Sequence, residues 1–121
     1  MNRSVINSTR FTPLVSDLEI AETAWRRIKG LIGCSYSSFR KGKGLRLFPC
    51  EGVHTIGMKF PIDVAYLDKD LRVVHVYNCL RPCRVGRISW KSRSVLELPA
   101  GVLADSRTEV GDTLQFILTG N

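Results

Sequence analysis

Apolar positions along the chain gather into short clusters broken by glycine, proline and aspartate, and one segment alone has helical spacing. Leu14 to Ala21 carries enough apolar side chains for a first strand, although Leu14 and Val15 are adjacent and the alternation through Leu18 and Ile20 is imperfect. Thr23 then offers an N-cap for a short helix over Ala24 to Ile32. Trp25, Ile28 and Ile32 form its apolar stripe, and Gly33 suits the left-handed stop. Lys41 to Gly44 is a charged, glycine-rich loop without phosphate-loop spacing. Leu45 to Phe48 and Val53 to Gly57 read as short strands separated by Pro49.

The clearest hairpin pairs Ile62 to Leu67 with Leu71 to Tyr77 across a turn at Asp68-Lys69-Asp70. Cys79 to Trp90 reads as a basic loop and Ser94 to Leu98 as a strand. Pro99-Ala100-Gly101 precedes one helical turn near Val102 to Ser106, and Gly111-Asp112 leads into a last strand, Thr113 to Leu118. About seven short strands with one or two short helices predict a mainly β fold: a compact sandwich or barrel-like antiparallel sheet.

The chain has 121 residues, 44% of them hydrophobic and 24% charged, which suits one packed domain over 1–121 and excludes disordered and fibrous classes. No stretch approaches a membrane span and the first fifteen residues lack a secretory h-region, so the expected location is the cytoplasm. Arg26 and Arg27 lie too far along the chain to be a twin-arginine signal. In that compartment Cys34, Cys50, Cys79 and Cys83 are expected to be small buried hydrophobes in place of disulfides.

Charge placement says more than the net charge of +7. Residues 23 to 50 and 71 to 96 contain no Asp or Glu, yet hold thirteen of the eighteen Lys and Arg side chains. Such asymmetry makes a positive face that draws in an anionic partner. The sequence shows no RNP-like or zinc-finger pattern, and only Trp25, Phe39 and Trp90 stand beside basic residues, so a sequence-specific nucleic-acid module is not expected.

Three segments, Lys29 to Gly33, His54 to Val64 and Val95 to Gly101, occur in this order with Gly111-Asp112 after them. Over about residues 15–118 the chain thereby resembles the domain-of-unknown-function 192 family of bacteria and archaea. The resemblance implies a compact, predominantly β domain with a sandwich-like architecture and carries no activity. Pro82-Cys83-Arg84 departs from the pattern, which often has an aromatic where Cys83 stands. Many relatives also carry an export or lipoprotein signal that this sequence does not show.

Candidate chemistry centres on the family-like polar residues. A non-enzymatic binding module for a polar or anionic partner (a small molecule, glycan or protein) would place Lys59 and Arg84 at the mouth of a groove containing His54 and Asp63, with Glu97 as a further candidate. Asp63, at the entry to an apolar strand, is also suited to accept backbone N–H groups and fix a turn. Glu97 lies between Leu96 and Leu98, so alternation sends it to the opposite face, towards solvent or a groove floor. Convergence of His54, Asp63 and Glu97 in one cleft would instead make a small hydrolase or lyase. Cys50, His54, Cys79 and Cys83 supply the donors of a structural zinc site, at loose spacing. No nucleophile elbow is present, and no cofactor is implied.

Overall fold

A computed structural model describes residues 2–21 and 35–119. The helix expected over Ala24 to Ile32, the Lys29 to Gly33 segment and Cys34 lie outside the described residues. Seven strands form one sheet: β1 (Asn2–Asn7), β2 (Thr12–Ala21), β3 (Gly42–Leu47), β4 (Ile62–Leu67), β5 (Val73–Leu80), β6 (Ser94–Pro99) and β7 (Leu114–Thr119). A 3-10 turn, Tyr36–Ser38, precedes β3, and one α-helical turn, Val102–Asp105, follows β6. The order across the sheet is β5-β4-β6-β3-β2-β1-β7.

All neighbouring pairs are antiparallel except β2 and β3, which run parallel with Leu18 beside Gly44 and Ala21 beside Leu47. A parallel pair needs a crossover of a dozen or more residues, and residues 22–41 supply that length. The sheet curls until its two edges touch at one end. Arg72 and Thr113 form an isolated bridge, the Val73 N–H donates to the Asp112 carbonyl at 2.8 Å, and the Leu114 N–H donates to the Leu71 carbonyl at 2.9 Å. The mainly β, barrel-like expectation describes this half-barrel.

Membership of the strand set differs from the sequence reading at two places. Val53 to Gly57 is irregular, with one bridge from His54 to Val85, because its backbone pairs with the loop after β5 and not with a strand. In its place stands β1, whose sequence is mostly polar and which is held between β2 and β7 around the fully buried Val5. Its exit turn is fixed by Asn7 Oδ1, which accepts the Thr9 and Arg10 N–H groups at 3.0 and 3.1 Å.

Apolar clusters occupy both faces of the sheet. Inside the curl, Val5, Leu14, Leu67, Leu96, Leu98 and Leu114 pack with Val102 and Leu103 of the helical turn. On the other face, Leu45, Leu47, Ile62, Val64, Tyr66 and Val95 lie under Phe39, Val53, Met58 and Phe60. β4 and β6 sit between the clusters, and every residue of both is buried. The near-continuous apolar run Ile62 to Leu67 is thus the pattern of a strand covered on both sides.

Candidate functional site

Asp63 is the best-satisfied of the predicted site residues. It is 1% exposed, faces the inside of the curl opposite Leu98, and accepts three backbone N–H groups. Oδ1 takes Cys79 at 2.8 Å, and Oδ2 takes Gly101 at 3.1 Å and Leu103 at 2.8 Å. Cys79 belongs to a bulge: Ile62 pairs with Leu80 and Val64 with Tyr77, leaving two β5 residues opposite Asp63, and Cys79 has a φ of 57°. One carboxylate therefore ties the bulged edge strand to the start of the helical turn. This is the turn-fixing role expected from its position, and it uses the oxygens that catalysis would need.

Glu97 points the other way. Val64 is opposite it on β4 and Leu45 on β3, both members of the outer-face cluster. The side chain does lie opposite Leu96 and Leu98, but the expected solvent or groove floor is replaced by apolar packing, because Phe39 and the 53–60 segment add a second layer there. Glu97 is 2% exposed, Oε1 has no hydrogen-bond partner among the described residues, and burial raises its pKa to about 8. It is a neutral carboxylic acid at pH 7.

Asp63 and Glu97 face opposite sides of the sheet and share no cleft, so the hydrolase or lyase constellation of His54, Asp63 and Glu97 is not assembled. His54 is half-buried in the bridge to Val85. Its neighbour Thr55 latches the loop after β5: Oγ1 donates to the Arg81 carbonyl at 2.6 Å and accepts the Arg84 N–H at 2.9 Å. Lys59 and Arg84 have exposed side chains. Among the described residues no three His, Cys, Asp or Glu side chains gather to hold a metal, so Cys50, His54, Cys79 and Cys83 do not form the zinc set. Cys79 and Cys83 are exposed free thiols and not the buried hydrophobes expected; each sits at positive φ, Cys79 in the β5 bulge and Cys83 in the loop that follows β5.

A different set of residues meets across a cleft of about 540 Å³ between β5 and the 87–91 loop. Arg72, Arg87 and Lys91 supply cations, His75 and Trp90 supply rings, and no acidic residue lines it among the described residues. His75 stands edge-on to Tyr66 and Tyr77, with ring centroids 5.3 and 4.7 Å away. Its Nε2 is buried without a hydrogen-bond partner among the described residues. Burial and, after it, the charge of Arg87 lower the His75 pKa, so the ring is neutral at pH 7.

The loop reaches this position because Tyr66 Oη donates to the Arg87 carbonyl at 2.5 Å and the Arg87 N–H donates to Tyr77 Oη at 3.0 Å. Gly86 is required by the contact: a Cβ there would lie 2.8 Å from Tyr66 Oη and 2.8 Å from Val53 Cγ1. None of these cleft residues is among the candidate site residues that the sequence offers. Their signal was the acid-free stretch 71 to 96, which contains all five.

The curled, doubly covered sheet defines a small β-rich domain. The family model for DUF192, described as "Uncharacterized ACR", matches residues 5–116, and the chain belongs to that family. The match begins within β1, earlier than the family-like core read from the sequence. The UPF0127 protein PH1112 of Pyrococcus horikoshii is 27% identical over 119 residues, covering 93% of this chain and 97% of that protein.

Two crystal structures show the same fold. A protein of unknown function from Novosphingobium aromaticivorans aligns with a TM-score of 0.78 at 19% identity, covering 93% of this chain and 82% of that one. A protein from Sinorhizobium meliloti, described as a candidate transcription regulator, aligns with a TM-score of 0.78 at 19% identity, covering 94% and 91%. No helix among the described residues is long and apolar enough to cross a membrane.

Proposed function

We propose that the protein is a non-enzymatic binding module for an anionic partner, and that the cleft between β5 and the 87–91 loop is where the partner sits. One observation carries the reading: Arg72, Arg87 and Lys91 converge on a cleft that no carboxylate lines among the described residues. Unopposed cations around a concavity concentrate anions, and the apolar walls strengthen the field inside it. Lys59 and Arg84, on the same positive chain, extend the attraction beyond the cleft and do not form its floor. The exposed free thiols Cys79 and Cys83 suit a reducing compartment such as the cytoplasm.

The test is a titration against anionic glycans, nucleotides, pyrophosphate and acidic peptides, at low and then physiological salt. Saturable binding that weakens with salt is expected. Arg87→Gln should lower affinity by about tenfold, the loss of one charge-assisted hydrogen bond. Absence of saturable binding to every member of the panel would sink the proposal.

A further inference from the structure

Trp90 is the feature of the cleft that attraction for anions leaves unexplained. Its side chain is 85% exposed, although an indole is among the costliest groups to leave in water. The exposure is built in. Trp90 and Lys91 are the central residues of a turn closed by the Ser92 N–H donating to the Ser89 carbonyl at 2.9 Å.

That turn is pinned from below. The Ser89 N–H donates to the Glu51 carbonyl at 2.8 Å and the Cys50 N–H to the Arg93 carbonyl at 2.9 Å. Ser92 Oγ bonds the Cys50 carbonyl at 3.0 Å. The ring is therefore presented on an anchored support, with little backbone ordering left to pay on binding. It also stands on a ridge: the cationic cleft lies to one side, and a second opening of about 580 Å³, bordered by Pro49, Glu51, Ser92 and Arg93, lies to the other.

We infer that this ridge and cleft take a nucleotide unit, its base stacked on Trp90 and its phosphate held by Arg72, Arg87 and Lys91. The inference rests on the proposed anion-binding reading and narrows it. Cations alone would accept any anion, and an indole alone any flat apolar group; their junction at one cleft selects a ligand carrying both. The cleft of about 540 Å³ lies within the size range of small-molecule sites. Three cations also exceed the single charge of a uronic acid, whereas a terminal phosphate carries nearly two charges and three acceptor oxygens. Stacking on an aromatic face tolerates any base, so no sequence-reading motif is needed. The unit is either a free nucleotide or part of a single strand, with the second opening accepting the next residue of the strand.

The experiment follows the indole N–H resonance of Trp90 while the full chain is titrated with adenosine monophosphate, adenosine, ribose 5-phosphate, pyrophosphate and an eight-residue oligothymidylate. Adenosine monophosphate should shift that resonance saturably. Adenosine and ribose 5-phosphate should each bind at least about tenfold more weakly, since each lacks one half of the recognition. Trp90→Ala, which removes an exposed ring and leaves the core intact, should weaken nucleotide binding between about fivefold and a hundredfold. The oligonucleotide binding tighter than the mononucleotide identifies a strand as the source; equal or weaker binding identifies the free nucleotide. Ribose 5-phosphate or pyrophosphate binding as tightly as adenosine monophosphate, or an unchanged Trp90→Ala affinity, overturns the nucleotide assignment while leaving anion binding in place. If no anion binds, both readings fall.

Discussion

Asp63 and Glu97 lie one register step apart on paired strands and face opposite sides of the sheet. Asp63 is level with Leu98 and Glu97 with Val64. Alternation then sends one carboxyl into the curl and the other into the outer cluster. The two acids most suggestive of paired chemistry in the sequence are thus separated by the backbone that carries them, and each has its own measurable consequence.

For Asp63 the consequence is a brace. Asp63→Asn keeps the shape but turns one acceptor oxygen into a donor, so at least one of the three N–H groups at Cys79, Gly101 and Leu103 loses its partner. A buried donor left unsatisfied costs about 1–3 kcal/mol. Urea denaturation should show that loss as a lower midpoint at unchanged slope. A change below about 0.5 kcal/mol, the range of ordinary surface substitutions, would refute the brace.

For Glu97 the consequence is a stability that falls as pH rises. Burial raises its pKa from 4.5 to about 8 in the folded chain. Below 4.5 both folded and unfolded states are protonated and no penalty exists. Between 4.5 and 8 the unfolded carboxyl ionises while the folded one keeps its proton, so stability declines with pH across this window and levels off above it. The total is on the order of a few kcal/mol. Glu97→Gln, which does not titrate, should remove this slope; retention of the slope in the variant would assign it to other groups.

Asp112 has the opposite sign. Its burial alone would raise the pKa, but hydrogen bonds from Arg10 and Asn7, then the Glu109 N–H and the Arg10 charge, outweigh that and leave it lowered. The stabilisation is present above the ordinary carboxylate range and is lost as pH falls through the depressed value. Arg10→Gln should therefore move acid unfolding to higher pH. An unaltered acid midpoint would show that the Arg10–Asp112 contact, 2.9 Å long, does not support the loop.

Gly86→Ala tests the support beneath the cleft. The new methyl would meet Tyr66 Oη and Val53 Cγ1, each at 2.8 Å, and overpacking of this kind costs about 1–3 kcal/mol. The loop should lift, changing the ring-proton shifts of His75 in NMR spectra and weakening anion binding. Native shifts and native affinity together would mean that the loop does not depend on that contact.

The sequence made the local pairings legible and left the long-range ones hidden. The Ile62–Leu67 hairpin, the Ser94 strand, the helical turn at Val102 and the last strand all announce themselves through apolar runs between turn residues. Strand β1 does not, because Asn2 to Asn7 holds its place through pairing with both β2 and β7 and offers little apolar pattern of its own. Val53 to Gly57 misleads for the converse reason: an apolar run can pack over a sheet without joining it.

The candidate site divides along the same line. Asp63 was readable as a turn-fixing carboxylate from its place after Pro61-Ile62. The burial of Glu97 was hidden, since alternation specifies a face without saying what covers it. The sequence makes His75 part of the regular strand Leu71 to Tyr77, yet β5 is irregular there: Tyr66 pairs with His75 and Leu67 with Val73, a second bulge. That irregularity, with the 87–91 loop folded back, is how distant residues of the acid-free stretch come to share a cleft.

The bulge at Cys79 also bears on whether another chain can add to the sheet. β5 is an edge of the sheet, and an open edge invites another chain to add a strand. Here the left-handed Cys79 breaks the ladder, and its N–H is already committed to Asp63. The carboxylate that braces the inside of the fold therefore denies a template on the outside, and loosening it would expose the edge to self-association as well as lowering stability.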